Sequence, residues 1–162
     1  MERVALYLLV VLGSHYLASF VQISLHWALG HRPLGGFLYE IHTREHHGIY
    51  SINALQSETY SKDEKSAVLY YVGPLVALGL IAYTLLPLDI FVVHLVSLSV
   101  SYAAHVYLHV QYHLTHAPLA RLAWFRRKRA LHLVHHRDES KNFAVIEFFW
   151  DRVFGTFEPV RP

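Results

Sequence analysis

Fourteen of the 162 residues are histidine, several times ordinary usage, and twelve of them fall into four clusters. His26 and His31 are spaced H-x4-H, and His42, His46 and His47 follow as H-x3-H-H. His105, His109, His113 and His116 form a ladder, and His132, His135 and His136 read H-x2-H-H. Neutral imidazole is a good ligand for iron, zinc and copper. On an α-helix, residues four apart lie about 40° apart around the axis and one turn apart along it, so both reach one ion. His42 with His46, His109 with His113, and His132 with His136 meet that condition. Adjacent histidines diverge by about 100° and do not readily share an ion. The doublets His46-His47 and His135-His136 therefore predict two ions side by side, with each doublet divided between them.

Other residue types narrow the chemistry. The zincin pattern H-E-x-x-H is absent, because Thr43 follows His42 and Leu133 follows His132. The chain has no cysteine, which excludes disulfides, thiolate zinc sites and iron–sulfur clusters. Glu45, Asp138, Glu147 and Asp151 lack the Glu-x-x-His pairing of soluble di-iron bundles and read as partners that orient imidazoles. His105, His116, Glu45 and Asp138 are further candidates for a ligand or supporting role. A net charge of +2 is too small to suggest a nucleic-acid partner.

The elements that must carry these clusters are apolar. Apolar types make up 54% of the chain and charged types 16%, which argues against an ordinary soluble domain. Crossing a bilayer takes about 20 mostly apolar residues. Three stretches qualify, at about 4–29, 66–86 and 90–112, the second with a Gly73-Pro74 pair and the last two separated by Pro87-Leu88-Asp89. The first reads as a retained span, because its apolar run is too long for a signal peptide and only Glu2 and Arg3 are charged ahead of it. Of the 14 basic residues, only Arg3 precedes the first span; the others lie in the 30–65 loop or after residue 112. The positive-inside rule makes those two segments cytoplasmic, with the amino terminus and the Pro87 turn outside. The expected architecture is a single-domain, all-α, multi-pass integral membrane protein with about three transmembrane helices and a cytoplasmic histidine-rich helical cap. His15 and His94 lie away from the clusters and are expected to hydrogen-bond between helices. The run Arg126-Arg127-Lys128-Arg129, beside Trp124 and Phe125, reads as an anchor at an anionic lipid surface. The stretch from Phe143 to Trp150 is too short to span and is expected to pack back on the membrane face or on the site.

An all-histidine, two-metal site at the edge of a bilayer suits O2 activation against an unreactive C–H bond, with apolar surroundings excluding water. The competing class is a histidine-rich metal transporter, which would want polar ligands midway along its spans. Here the clusters sit at the span ends and beyond them.

The carboxyl-terminal part sharpens this reading. His132-Leu133-Val134-His135-His136, then Asn142-Phe143, then Trp150-Asp151-Arg152-Val153-Phe154-Gly155-Thr156-Phe157, resembles the signature of the fatty acid hydroxylase/sterol desaturase superfamily. The earlier H-x4-H and H-x3-H-H groups stand where that family's first boxes would, and the resemblance covers about residues 20–158. It implies a membrane di-iron oxygenase that uses O2 and electrons from NAD(P)H through a separate redox partner, with zinc able to substitute for iron. The implied substrate is a lipid such as a fatty acyl chain or sterol, hydroxylated or desaturated; a carotenoid or polyisoprenoid hydroxylase is the alternative within the same chemistry. It points to His26, His31, His42, His46, His47, His132, His135 and His136 as ligands. For the third box the chain offers His109 with His113 or His105 with His109, and the distance to the last box favours the first pair. Trp150, Asp151 and Gly155 to Phe157 are implied as structural residues that close over the site.

Overall fold

A computed structural model of the chain describes residues 1–61 and 69–160, with side chains from residue 72 onward in the second segment. The described residues are helical and carry no strand beyond an isolated bridge between Ser57 and Leu114. Helix α1 (Glu2–Leu25) runs into a π-helical turn, His26–Gly30. A short 3-10 turn (Pro33–Gly35), α2 (Phe37–Tyr39), a second π-helical stretch (Glu40–His46) and α3 (His47–Ile49) follow. Two long helices, α4 (Leu69–Leu85) and α5 (Leu88–Tyr112), lead to a 3-10 turn (Pro118–Arg121), α6 (Ala123–His135) and α7 (Phe149–Phe154).

Helices α1 and α5 lie side by side and parallel. The Tyr7 hydroxyl donates to Asp89 at 2.8 Å, Ser14 meets His94 at 2.7 Å, and His15 meets Ser101 at 3.0 Å. His15 and His94 thus make the interhelical hydrogen bonds expected of them. Helix α4 packs against both in the opposite sense, with Tyr83 against Phe91 and Gly79 against Leu95 of α5. Pro87, extended and without an N–H, makes the sharp break and starts α5.

The polarity of this bundle is inverted relative to a water-soluble one. Ser14, Ser19, Gln22, His94, Ser97 and Ser101 are buried between the helices, while Leu8, Leu9, Leu12, Leu80, Ile81, Val96 and Val100 are exposed. Lipid reverses the usual burial preference, because polar groups must find partners inside the bundle while apolar ones gain nothing by leaving the lipid. Two helical stretches, Glu2–Gly30 and Leu88–Tyr112, are long and apolar enough to cross a membrane. The third expected span, 66–86, corresponds to α4. Its 17 described residues reach about 26 Å, short of the roughly 30 Å hydrocarbon core, and residues 66–68 lie outside the described residues.

The carboxyl-terminal segment folds back onto the shared end of α1 and α5. Phe143, Ala144 and Phe148 pack with Ile23 and Leu131, and Val145 packs with Leu108, Tyr112 and Phe125. The stretch from Phe143 to Trp150 therefore lies against the bundle end, as its length required. Helix α7 then runs beside α1, where the Trp150 indole N–H donates to the Tyr16 carbonyl at 3.1 Å and Phe20 meets the Trp150 ring edge-on. It ends at Gly155, whose φ of 71° is a left-handed cap that glycine adopts without strain.

Candidate metal centre

Four stretches of chain converge at the end of the bundle opposite Asp89: the π-helical end of α1, the Glu40–His46 stretch running into α3, the last turn of α5, and α6. They gather ten histidines into two groups. The first holds His26, His31, His42, His47 and His135; the second holds His46, His109, His113, His132 and His136. Within each group one nitrogen from every ring lies within 4.8 Å of all the others.

The outward nitrogens explain why the rings face as they do. His26 Nδ1 sits 2.5 Å from the Phe143 carbonyl, His135 Nδ1 2.7 Å from the Lys141 carbonyl, His136 Nδ1 2.9 Å from the Tyr50 carbonyl, and His113 Nδ1 3.0 Å from the Leu55 carbonyl. A carbonyl only accepts, so each of these Nδ1 atoms carries the ring proton and each Nε2 presents a bare lone pair. His31 Nδ1 faces the Glu139 carboxylate at 3.2 Å, which fixes the same tautomer. The inward Nε2 atoms then crowd together. His31 Nε2 lies 3.2 Å from that of His26 and 3.0 Å from that of His135, while His26 and His42 meet at 2.7 Å. In the second group His113 meets His132 at 3.0 Å and His46 meets His136 at 3.1 Å.

Between His31 and His26, and between His31 and His135, both nitrogens carry lone pairs, and at 3.2 and 3.0 Å these repel unless a cation lies between them. Two nitrogens each about 2.1 Å from one ion and at right angles to one another are about 3.0 Å apart. The donor sets therefore fit one transition-metal ion each, with imidazole chemistry suited to iron, zinc or copper. His47 strengthens the fit, since its Nε2 is buried with no hydrogen-bond partner.

Electrostatics keeps the rings in their ligand form. Burial, together with the repulsion of neighbouring imidazoles, holds His42, His46, His47, His132, His135 and His136 well below the ordinary histidine range. Burial and the neighbouring His26 lower His31 to about 2; burial lowers His113 to about 4, partly offset by the Leu55 carbonyl. A neutral imidazole can bind a metal where a protonated one cannot.

The helical geometry sorts the candidate ligands. Each doublet divides as its 100° offset required, His47 and His135 going to the first group and His46 and His136 to the second. His109 with His113, and His132 with His136, share a group as four-residue spacing on an α-helix predicts. His42 and His46 do not, which corrects the sequence expectation. The stretch Glu40–His46 is π-helical, and its i→i+5 ladder brings His42 and His47 to one face, their rings edge to face at 5.0 Å. The same five-residue spacing places His26 and His31 together across the π-helical turn at the end of α1. The spacing H-x4-H was the available signal for a π-turn.

Of the two options for the third box, the structure brings His109 and His113 into the second group, with His105 stacked on His109 one turn further into the bundle. Among the supporting candidates, Glu45 and His116 are exposed and belong to neither group, and Asp138 accepts from the Ser140 N–H and hydroxyl at the surface. The carboxylate that does reach the ligands is Glu139, the next residue, which touches His31 at 3.2 Å and His47 Nδ1 at 3.5 Å. Tyr50 and Leu55, which act through backbone carbonyls, were not legible as functional residues. Gln56 fixes their loop by donating to the Tyr112 and Leu114 carbonyls, and Ser57 pairs with His113 and Thr115. In the basic run, Lys128 turns inward to Glu147 and the Ile146 carbonyl instead of outward to lipid.

The family model described as fatty acid hydroxylase matches residues 10–156, nearly the whole chain and all four histidine clusters. No curated protein and no solved structure matches.

Proposed function

The chain belongs to the fatty acid hydroxylase family, and on that premise we propose that it is a multi-pass membrane oxidoreductase that uses two iron ions and O2 to hydroxylate or desaturate a lipid. Membership implies an oxygenase-type oxidoreductase in a family that uses iron, and the two histidine groups are compatible with metal binding. The observation that carries the two-ion reading is the convergence of ten imidazoles into two groups, two rings of each group having their Nδ1 protons committed to backbone carbonyls.

When bound, the ions supply redox chemistry able to attack an unactivated C–H bond with O2. His26, His31, His42, His47 and His135 would hold one ion, and His46, His109, His113, His132 and His136 the other. Phe143, Lys141, Tyr50 and Leu55 hold ring protons on Nδ1 and so keep each Nε2 available. Phe143, packed against His26, His31 and His135, excludes water from the first group. An opening lined by Trp27, His31, Arg32, Glu139 and Ser140 reaches that group from the surface, a route for small molecules or for an electron donor.

The parallel run of α1 and α5 supports an odd number of crossings, since the chain between two parallel spans must return through the membrane. With the basic residues concentrated after α1 and after α5, the histidine end faces the cytoplasm. The substrate is an apolar lipid that approaches along the exposed apolar helices.

The deciding experiment compares host lipids with and without the protein under 18O2, by mass spectrometry. A lipid gaining one labelled oxygen identifies hydroxylation; one losing two hydrogens identifies desaturation. An unchanged lipid profile with metal uptake into protein-containing vesicles and no O2 consumption would replace the enzyme reading with transport.

A further inference from the structure

Away from the histidine centre, a groove with an open volume of about 530 Å³ lies between α6 and α7. Its α6 wall is one helix face, Trp124, Arg127, Lys128 and Leu131, at spacings of three, one and three residues. Its other wall is Phe148, Phe149 and Arg152. Lys128 is spent on Glu147 at the floor of the groove. Arg127 and Arg152 are not: among the described residues no carboxylate pairs with either, and the Arg152 guanidinium is held in place over the Phe157 ring at 3.6 Å. The groove thus carries two uncompensated cations and two exposed aromatic rings, Trp124 and Phe149.

Its depth identifies the occupant. Helix α7 packs against Tyr16 and Phe20 of α1, six to ten residues before His26 and so about 9–15 Å along the axis from the histidine end. Its outward residues Phe149, Val153 and Phe154 are exposed and continue the apolar outer face of α1. If α1 crosses a bilayer, α7 lies within one leaflet, and the groove opens where acyl chains meet headgroups. Arginine and tryptophan together at that level are the residues that bind anionic headgroups and seat in the interface.

We infer that this groove is a binding site for an anionic phospholipid of the leaflet nearest the histidine centre. Arg127 and Arg152 grip the phosphate, Trp124 and Phe149 border the glycerol region, and an acyl chain follows the outer face of α7. The site rests on α1 spanning a bilayer and is independent of the metals.

Trp124 reports on it. The full chain is reconstituted in phosphatidylcholine bilayers and titrated with phosphatidylglycerol brominated on its acyl chains, taking the difference between wild type and Trp124→Phe. Trp124 should be quenched at phosphatidylglycerol fractions where brominated phosphatidylcholine has little effect. Arg127→Gln with Arg152→Gln should reduce that preference about thirtyfold, and Arg127→Gln alone about fivefold, whereas Arg121→Gln with Arg137→Gln leaves it intact. Unchanged metal content in each variant shows that the fold is retained; if the double variant fails this check, the single variant carries the test. Equal quenching by both lipids, or undiminished preference in the Arg127 variants, overturns the site. Displacement of phosphatidylglycerol by millimolar inorganic phosphate or by an acidic protein would also overturn the lipid assignment.

Discussion

Asp151 holds the backbone that holds His26. One Asp151 carboxylate oxygen accepts the Phe143 N–H at 2.8 Å and the other accepts the Ala144 N–H at 3.0 Å, while the Phe143 carbonyl takes the His26 Nδ1 proton. The Thr156 hydroxyl also donates to Asp151, and Asn142, itself at a φ of 50°, ties the same turn to Leu131 and Glu158. Asp151 is fully buried, and its burial pushes the carboxyl above its ordinary range despite these donors. Asp151→Ala leaves two buried N–H groups without partners. It should cost about 2–4 kcal/mol of stability and loosen the first histidine group before the second. Thermal unfolding in detergent, with metal content measured alongside, checks both parts.

Glu139 gives the two groups different surroundings, since its carboxylate contacts His31 and His47 and both belong to the first. A carboxylate behind a ligating imidazole orients it and raises its basicity. Glu139→Gln should weaken metal binding at the first group by about 10–100-fold and leave the second unchanged. Metal titration of the apo chain should then resolve two affinities where the wild type shows closer ones.

The divided doublets can be tested one residue at a time. His135→Ala should deplete the first group and His136→Ala the second, each leaving about half of the bound metal, and both should abolish turnover. Spectroscopy on the two variants should report different residual ions. Full metal loading with normal turnover in His135→Ala would refute the assignment.

Acid should unfold the metal-free chain early. Among the clustered histidines, burial lowers the folded pKa of His31 to about 2 and of His113 to about 4, against about 6.5 in an unfolded chain. Between those values the unfolded state binds more protons, so stability rises with pH there. It is fully present above about pH 6.5 and falls as pH drops below it, each such histidine contributing up to about 1.4 kcal/mol per pH unit. Melting temperature measured from pH 8 to pH 4 should be flat at first and then decline steeply. Metal release should follow the same window, because protons compete for Nε2.

Topology is accessible because the chain has no native cysteine. A cysteine at Leu88, the first residue of α5, should label from outside intact cells. One at Ser61 should label only after permeabilisation. Reversed labelling would invert the orientation of the histidine centre.

Much of this molecule was written in residue type and spacing. Four histidine clusters at the ends of apolar stretches specified a centre at the edge of a bundle, and the 100° offset between neighbours on a helix was enough to divide His46 from His47 and His135 from His136. The resemblance of the Trp150 to Phe157 segment to the family's signature carried the same message. Tertiary structure alone decided which histidines group together. Whether His42 groups with His46 or with His47 depends on one extra residue per turn, a backbone choice that side-chain periodicity does not fix. It also decided that Glu139, and not Asp138, turns toward the ligands, since adjacent residues just beyond α6 differ only in direction. The carbonyls of Tyr50, Leu55, Lys141 and Phe143 were invisible beforehand for a simpler reason. Every residue has a carbonyl, and only the folded path of the chain aims one at an imidazole.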